Sequence, residues 1–363
     1  MGRYFVPLYM KQSIDWLKKI RTRWIIQAIL LVIIWIVMRF PVLGEWYARK
    51  IYPLFSTVLS SISSLFPFSI GDCFIYGSIA GLCAYLIYAV IKRRSWKTTA
   101  GRMLEYLLWV YIGFYLAWGL NYFRKDFYAR TQIPYAAYSE EDFQTFLTAY
   151  TDSLNKSYIL FEEIAPEIVA EEVKKEYKEI APFFALNRPG EHLRMKPMLI
   201  SAWMSKVGVL GYMGPFSNEF HLNRDLLPVQ YPFTYAHEMA HVLGIASEAE
   251  ANLYGYLVCT GSDVPEIRFS GYFGLLPYVL SNAYQLLGEG SFNEWVQTIS
   301  PDIKDLYNKK NAYWQALYSP LIGEIQDTVY NWFLKGNNIP TGRQNYSEVI
   351  GLLIAKEQAA GYN

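Results

Sequence analysis

Tyr235-Ala236-His237-Glu238-Met239-Ala240-His241-Val242-Leu243-Gly244 is followed, after three further residues, by Glu248-Ala249-Glu250-Ala251-Asn252, and these two runs decide how the chain is read. Thr234, after Pro232 and Phe233, is suited to cap a helix, and the residues up to about Leu243 are good helix formers before Gly244. His237 and His241 then lie just over one turn apart on one helical face, so their imidazoles can hold a single ion. Glu238, turned about 100° around the axis, falls beside that ion and can take a proton from an attacking water and return it to a leaving amine. With four histidines in 363 residues, chance supplies this pattern on the order of once in several hundred sequences.

A catalytic zinc needs a third protein ligand, and Glu248 and Glu250 compete for that role. On one unbroken helix Glu248 would lie about 10 Å beyond His241 and out of reach. The chain is therefore expected to turn at Gly244 and restart with Ser247 as the cap of a second helix. Glu250 then occupies the third helical position, where it would close a capping box, leaving Glu248 freer for metal. Glu248 shares its face with Asn252, which could orient a ligand, and with Gly255, which permits close helix approach. Glu248 is the preferred third ligand and Glu250 the alternative.

Outward from this pair, residues 123–363 read as one helical, water-compatible domain. Ser139 ahead of Glu140, Glu141 and Asp142 predicts a helix to about Tyr158, and Pro166 to Ile180 predicts another. Asn218 to Asn223 alternates in polarity as a short strand would; a single strand is an edge, on which an extended peptide can pair. His192 and His221 could stabilise an oxyanion or bind metal, as could Tyr272, Tyr278 and Tyr284 for the oxyanion, although a lone His is more often a surface or core residue. Cys73, Cys83 and Cys259 are too few for a disulfide framework and read as small apolar side chains. No internal repeat or low-complexity tract occurs.

The first third reads differently. Apolar residues make up 53 % of the chain and charged residues 18 %, a shift toward lipid. Three apolar segments, residues 24–43, 73–91 and 103–122, each approach the roughly 20 residues that cross a bilayer. The first begins too far in and runs too long for a cleaved signal. Between the first two, Leu54, Phe55, Val58, Leu59, Ile62, Leu65 and Phe66 recur at helical spacing with serines between them, as an interfacial helix or a helix packed on the protein would. Arg3, Lys11, Lys18, Lys19, Arg21 and Arg23 precede the first span, and Lys92, Arg93, Arg94, Lys97 and Arg102 separate the second from the third, whereas Arg39, Arg49 and Lys50 lie in the first connection. The positive-inside rule then keeps the amino terminus cytoplasmic, and three crossings put residues 123–363 on the outer face of a bacterial cytoplasmic membrane. A net charge of +1 offers no field for a nucleic-acid backbone.

The two metal-site runs, preceded by Gly214-Pro215-Phe216 and Pro232-Phe233-Thr234 and, at the end of the third apolar segment, by Gly119-Leu120-Asn121-Tyr122, resemble an uncharacterised bacterial membrane-protein family, domain of unknown function 3810, over nearly the whole chain. That resemblance implies no activity. More distantly the site is similar to gluzincin metallopeptidases, in which a Glu of a second helix, in a Glu-x-x-Ala-Asp or Glu-x-x-Ala-Asn setting, completes the metal site. Glu248 to Asn252 fits that setting, although the link from His241 is shorter than in gluzincins. A metzincin pattern would put the ligand on Ser247, and site-2 intramembrane proteases carry the motif within a span, which Gln230, Glu248 and Glu250 argue against here.

The combined expectation is a mainly α chain. It has a membrane domain over residues 1–122, with an interfacial helix at about 54–66, and a zincin-like α+β extracytoplasmic domain. The expected cofactor is Zn2+, held by His237, His241 and Glu248 with Glu238 as general base, and the expected activity is metallopeptidase hydrolysis at the membrane surface, with lipid and a peptide or protein as partners. The alternatives are an inactive scaffold or sensor that uses zinc structurally or to bind a peptide, and a zinc hydrolase of a non-peptide amide.

Overall fold

The computed structural model describes residues 8–135, 137–340 and 348–361; Arg3 and the side chains of Lys11, Lys18, Lys19 and Arg21 lie outside the described residues. The chain is mostly helical. It begins with α1 (Leu8–Arg39), α2 (Pro41–Trp46), a π turn (Tyr47–Ile51), α3 (Tyr52–Ser63), α4 (Ile70–Ile91), α5 (Trp96–Ala117) and a 3-10 turn (Gly119–Phe123). After α6 (Phe127–Thr131), α7 (Glu140–Ser157) and α8 (Pro166–Phe184) come β1 (Met195–Pro197), α9 (Ser201–Ser205), β2 (Gly211–Gly214) and β3 (Glu219–Leu222). The remainder is α10 (Tyr231–Val242), α11 (Glu248–Gly261), α12 (Pro265–Leu286), α13 (Gly288–Thr298), α14 (Pro301–Leu317), α15 (Pro320–Gly336) and α16 (Val349–Gly361).

Among the described residues two helices, not three, are long and apolar enough to cross a membrane: Thr22–Arg39 within α1, and α4. Both are almost bare, with 11 % and 6 % of their apolar windows buried, so neither is packed as a core helix within the described chain. The third expected span fails because its apolar run is divided. Met103 to Ala117 in α5 covers about 22 Å at 1.5 Å per residue, short of a hydrocarbon core of about 30 Å, and it includes Glu105. The rest, Gly119 to Tyr122, winds into the 3-10 turn and is buried in protein. Even so, α5 runs beside α1, where Gln27 Nε2 donates to the Glu105 carbonyl (2.9 Å) and Arg23 pairs with Glu105 (3.2 Å). It also meets α4 through the Tyr106 hydroxyl and Ser78 Oγ (2.5 Å).

Of the two readings of the segment at 54–66, the packed apolar face is the one not realised. Leu54, Val58, Ile62 and Leu65 of α3 and its end point outward, more than half exposed, while Ser60 and Ser63 are buried against the protein. Cys73 and Cys83 are exposed on α4, and Cys259 is buried in α11.

The sheet has three strands in the order β1-β3-β2, with β1 parallel and β2 antiparallel to β3, and Tyr212 opposite His221. The strand expected at Asn218 to Asn223 is therefore the central one, fully buried, and not an edge. The edges are β1 and β2, whose three and four residues carry too little alternation to announce a strand. Ser139 closes a capping box with Asp142 at the start of α7, which ends at Ser157. The helix opened by Pro166 runs on to Phe184 with Pro182 in its last turns.

The main core gathers α7, α8, α10, α11, α12 and α16 around Ala236, Met239, Ala240, Ala251, Tyr254 and Val258. A second cluster joins Ile34, Tyr52, Ile112, Trp118 and Leu120 to Ala246, beyond α10, and to Leu334 of α15. Apolar packing is thus continuous across residue 122.

Candidate metal centre

Helix α10 starts at Tyr231, three residues before the expected cap, because Pro232 fits a helix's first turn. Thr234 is consequently inside it, and its hydroxyl donates to the Gln230 carbonyl (2.9 Å). The helix ends as the sequence suggests. Gly244 takes φ +90°, a left-handed value that favours glycine, and an added Cβ would meet Asn121 Oδ1 at 3.1 Å. Ser247 Oγ then accepts from the Glu250 amide (3.3 Å) and opens α11. Gly255 lets α11 approach, since a Cβ there would touch the His237 backbone at 3.4 Å.

The carbonyls at the buried end of α10 need partners. Side chains from distant elements supply them: Trp118 Nε1 to His241 O (2.8 Å), the Tyr52 hydroxyl to Val242 O (2.5 Å), Asn187 Nδ2 to Leu243 O (3.1 Å) and Arg124 Nη1 to Gly244 O (3.0 Å). One turn earlier the Tyr177 hydroxyl donates to Ala236 O (2.6 Å). Three of these five donors come from the first 122 residues or their immediate continuation, so the amino-terminal helices and the site are held as one piece.

The result is a compact triad. Glu248 Oε2 lies 3.2 Å from His237 Nε2 and 3.4 Å from His241 Nε2, and the two Nε2 atoms are 3.2 Å apart. The other ring nitrogens are engaged: His241 Nδ1 with the Ile245 carbonyl (2.7 Å), which can only accept, and His237 Nδ1 with Asn252 Oδ1 (2.8 Å). With protons on Nδ1, both Nε2 atoms turn lone pairs toward a carboxylate oxygen, an arrangement that calls for a positive charge between them. Zinc arms of about 2.0–2.1 Å in a tetrahedron give ligand–ligand edges of about 3.3–3.4 Å, which these three distances match. Among the described residues, no fourth His, Cys, Asp or Glu joins the group.

The electrostatics show the same demand for positive charge, which a proton on a ring Nε2 can meet as a metal ion would. Burial opposes charging of His241, yet the Glu248 carboxylate overrides it and pushes the imidazole up to about 9. Burial likewise raises Glu248, but the two imidazoles hold it well below the usual carboxylate range. The other Glu248 oxygen, Oε1, accepts from the Tyr330 hydroxyl of α15 (2.7 Å). Glu250 turns away: it forms no capping box, and it pairs with Arg130 and meets the Tyr254 hydroxyl (3.3 Å).

Glu238 is buried and has an oxygen, Oε2, without a hydrogen-bond partner among the described residues. Its side chain lies against Gly211 of β2, where an added Cβ would come within 2.4 Å of Oε1. Burial pushes its carboxyl up to about 6, against the pull of the two histidines. Glu238 and the triad open into a cleft of about 830 Å³ bounded by β2, α12, α14, α15 and the end of α5.

The remaining candidates separate cleanly. His192 is exposed, and His221 is buried in β3 with Nε2 at 3.4 Å from Ser69 Oγ, apart from the triad. Tyr278 lines the cleft, its phenol kept protonated by burial and by the nearby Glu248 charge. Tyr272 packs against the core, and Tyr284 is exposed. Sequence reasoning missed Tyr330, Trp118 and Arg130, whose separations of 82, 123 and 120 residues from their partners leave no local trace.

A family model described as "Protein of unknown function (DUF3810)" matches residues 47–354. The chain belongs to the DUF3810 family. No curated protein and no solved structure matches it. The DUF3810 match takes in every residue of the triad, Glu238, and the donors from Tyr52 to Asn187 that fix the end of α10, so the matched region holds the complete centre and its supports.

Proposed function

We propose that the protein is a membrane-attached zinc-dependent hydrolase that cuts peptide bonds. The observation that carries this reading is the triangle of His237 Nε2, His241 Nε2 and Glu248 Oε2, with its tetrahedral edge lengths, open on one side to a cleft. When bound, zinc supplies a Lewis acid that polarises a carbonyl and acidifies water. Glu238, beside the triad with an unpartnered oxygen, takes a proton from the attacking water and delivers it to the departing amine. Asn252 and the Ile245 carbonyl keep the lone pairs of the two imidazoles aimed inward. Tyr278 is a protonated donor in the cleft, suited to a developing oxyanion. The free edge of β2, next to Glu238, suits an extended peptide backbone.

A purely structural zinc is disfavoured because such sites are closed by four ligands, and His221, the best-placed fourth histidine in the sequence, is engaged elsewhere. Membrane attachment rests on the two exposed apolar helices and is extended by the outward apolar face of α3, which suits the lipid interface. The start of α4 meets Glu219 of the sheet, through Gly71 N (3.2 Å), whereas its far end leads into the basic residues from Lys92 to Arg102. The positive-inside rule therefore favours a site on the outer face of a bacterial cytoplasmic membrane.

The test is elemental analysis combined with a peptide-cleavage assay on the purified full chain. The expected result is one zinc per chain, hydrolysis in the wild type, and, for Glu238→Gln, no hydrolysis with zinc retained. Absence of stoichiometric zinc would sink the reading.

A further inference from the structure

The cleft beside the triad is walled mainly by aromatic and apolar side chains. Its polar residues away from the triad include Thr234, Gln326, Asp327, Gln230, whose Oε1 accepts from Trp314 Nε1 (2.7 Å), and Lys310 of α14, the sole lysine or arginine among the described lining residues. The Lys310 ammonium stands 4.2 Å from the centre of the Tyr307 ring and 5.7 Å from that of Phe273. Aromatic faces hold a cation without neutralising it. Among the described residues no carboxylate pairs with it, and burial alone pushes its pKa down to about 8, so it is still largely charged at neutral pH. A continuous wall connects it to the metal ligands: Gly274, next to Phe273, packs on the Phe233 ring, which lies 6.5 Å from the His237 ring. Glu238 and Asp327 line the same cleft without pairing with Lys310, so its half-buried ammonium is costly until an anion meets it.

We propose that Lys310 anchors a carboxylate of the substrate, so that the cleft selects peptides carrying a negative charge at a free carboxy terminus or on an acidic side chain. This inference rests on the metallopeptidase reading. The aromatic wall would take apolar side chains near the cut bond, and Lys310 would fix the register of the chain by one charge-assisted hydrogen bond.

The experiment uses the zinc-loaded full chain and a proteome-derived peptide mixture in two forms, untreated and with all carboxyl groups methyl-esterified. Cleavage is read by mass spectrometry. The wild type is expected to favour the untreated form about tenfold or more in kcat/KM, Lys310→Met to abolish that preference mainly by raising KM for the free acids, and Lys310→Arg to keep it. Lys310→Gln serves as a second neutral variant should the methionine form fail to accumulate. One cleaved peptide, resynthesised with a terminal amide or with Gln and Asn in place of its acidic residues, identifies which carboxylate is held. Equal cleavage of both forms by the wild type, or a preference that persists in the neutral variants, overturns the proposal and leaves the peptidase reading standing. Failure of the zinc-loaded wild type to cleave either form overturns the peptidase reading and this inference with it.

Discussion

Two buried clusters in this chain each combine glutamate with histidine, and they balance charge in opposite ways. Around Glu219 of β3 the counter-charge is built in. Lys196 pairs with it directly and also donates to the carbonyls of Ser63 (2.7 Å) and Phe68 (2.9 Å), while Ser217 Oγ (2.8 Å) and Gly71 N (3.2 Å) donate to the same carboxylate. The start of α4, whose amides favour negative charge, is thereby tied to the sheet. Around Glu248 no lysine or arginine pairs with the carboxylate among the described residues, and it faces two imidazoles whose Nε2 positions take either a proton or a metal ion. A cluster that carries its own cation is finished when the chain folds; one that lacks it is completed by something else. This contrast, more than the presence of the motif, separates a fastening from a binding site.

The hardest test of the contrast removes the built-in cation. Lys196→Met leaves Glu219 buried without its partner, a change that costs about 3–5 kcal/mol. Denaturant unfolding of the zinc-free protein is expected to show that loss, and adding Glu219→Met on the same chain to recover much of it. A loss below about 1 kcal/mol would break the distinction drawn here, because the Glu219 cluster would then not be holding α4 to the sheet.

A smaller effect is expected at the open cluster, and in a different observable. Asn252→Ala or Tyr330→Phe removes one support of the triad and should weaken zinc binding by about 10- to 100-fold in competition with a chelator. Unfolding of the zinc-free protein should change far less than for Lys196→Met. Equal effects on metal-free stability and none on zinc affinity would make the triad a second fastening.

The difference between the two clusters also explains what could be read from sequence. The α10–Gly244–Ser247–α11 unit was legible because helix period, a left-handed turn and a capping serine are all local, and the DUF3810 resemblance extended over the same residues. The Ser139 capping box was legible for the same reason. The Glu219 cluster was not, since Lys196, Ser69 and Glu219 meet only through a parallel β1–β3 pairing and a helix start 149 residues away. The third span was over-read because apolarity does not tell lipid from core, and Leu120 and Tyr122 went to core. The position of β3 was misjudged because β1 and β2 are three and four residues long, too short for a period-two signal.

The smallest expected effect, acid sensitivity, sharpens the account of the closed cluster. Burial holds the His221 imidazole below its ordinary value, against Asp72 and Glu219, which favour its charge, and in line with Lys196, which does not. The Tyr212 ring covers it at 4.6 Å. Burial would raise Glu219, but the Lys196 and Ser217 hydrogen bonds outweigh it and hold the carboxyl below its ordinary range. For both groups the unfolded chain binds the proton more readily, so stability falls as pH falls. The His221 contribution fades first, as pH drops below about 6.5, and the Glu219 contribution follows below about 4.3. Each proton limits the slope to about 1.4 kcal/mol per pH unit. Denaturant midpoints of the zinc-free protein between about pH 7.5 and 3 should therefore show an early decline, below about 6.5, that His221→Gln removes and a later one, below about 4.3, that it leaves in place. If the early decline survives in His221→Gln, the neutral histidine is not its source, and the charge balance assigned to this cluster would have to rest on Lys196 and Glu219 alone.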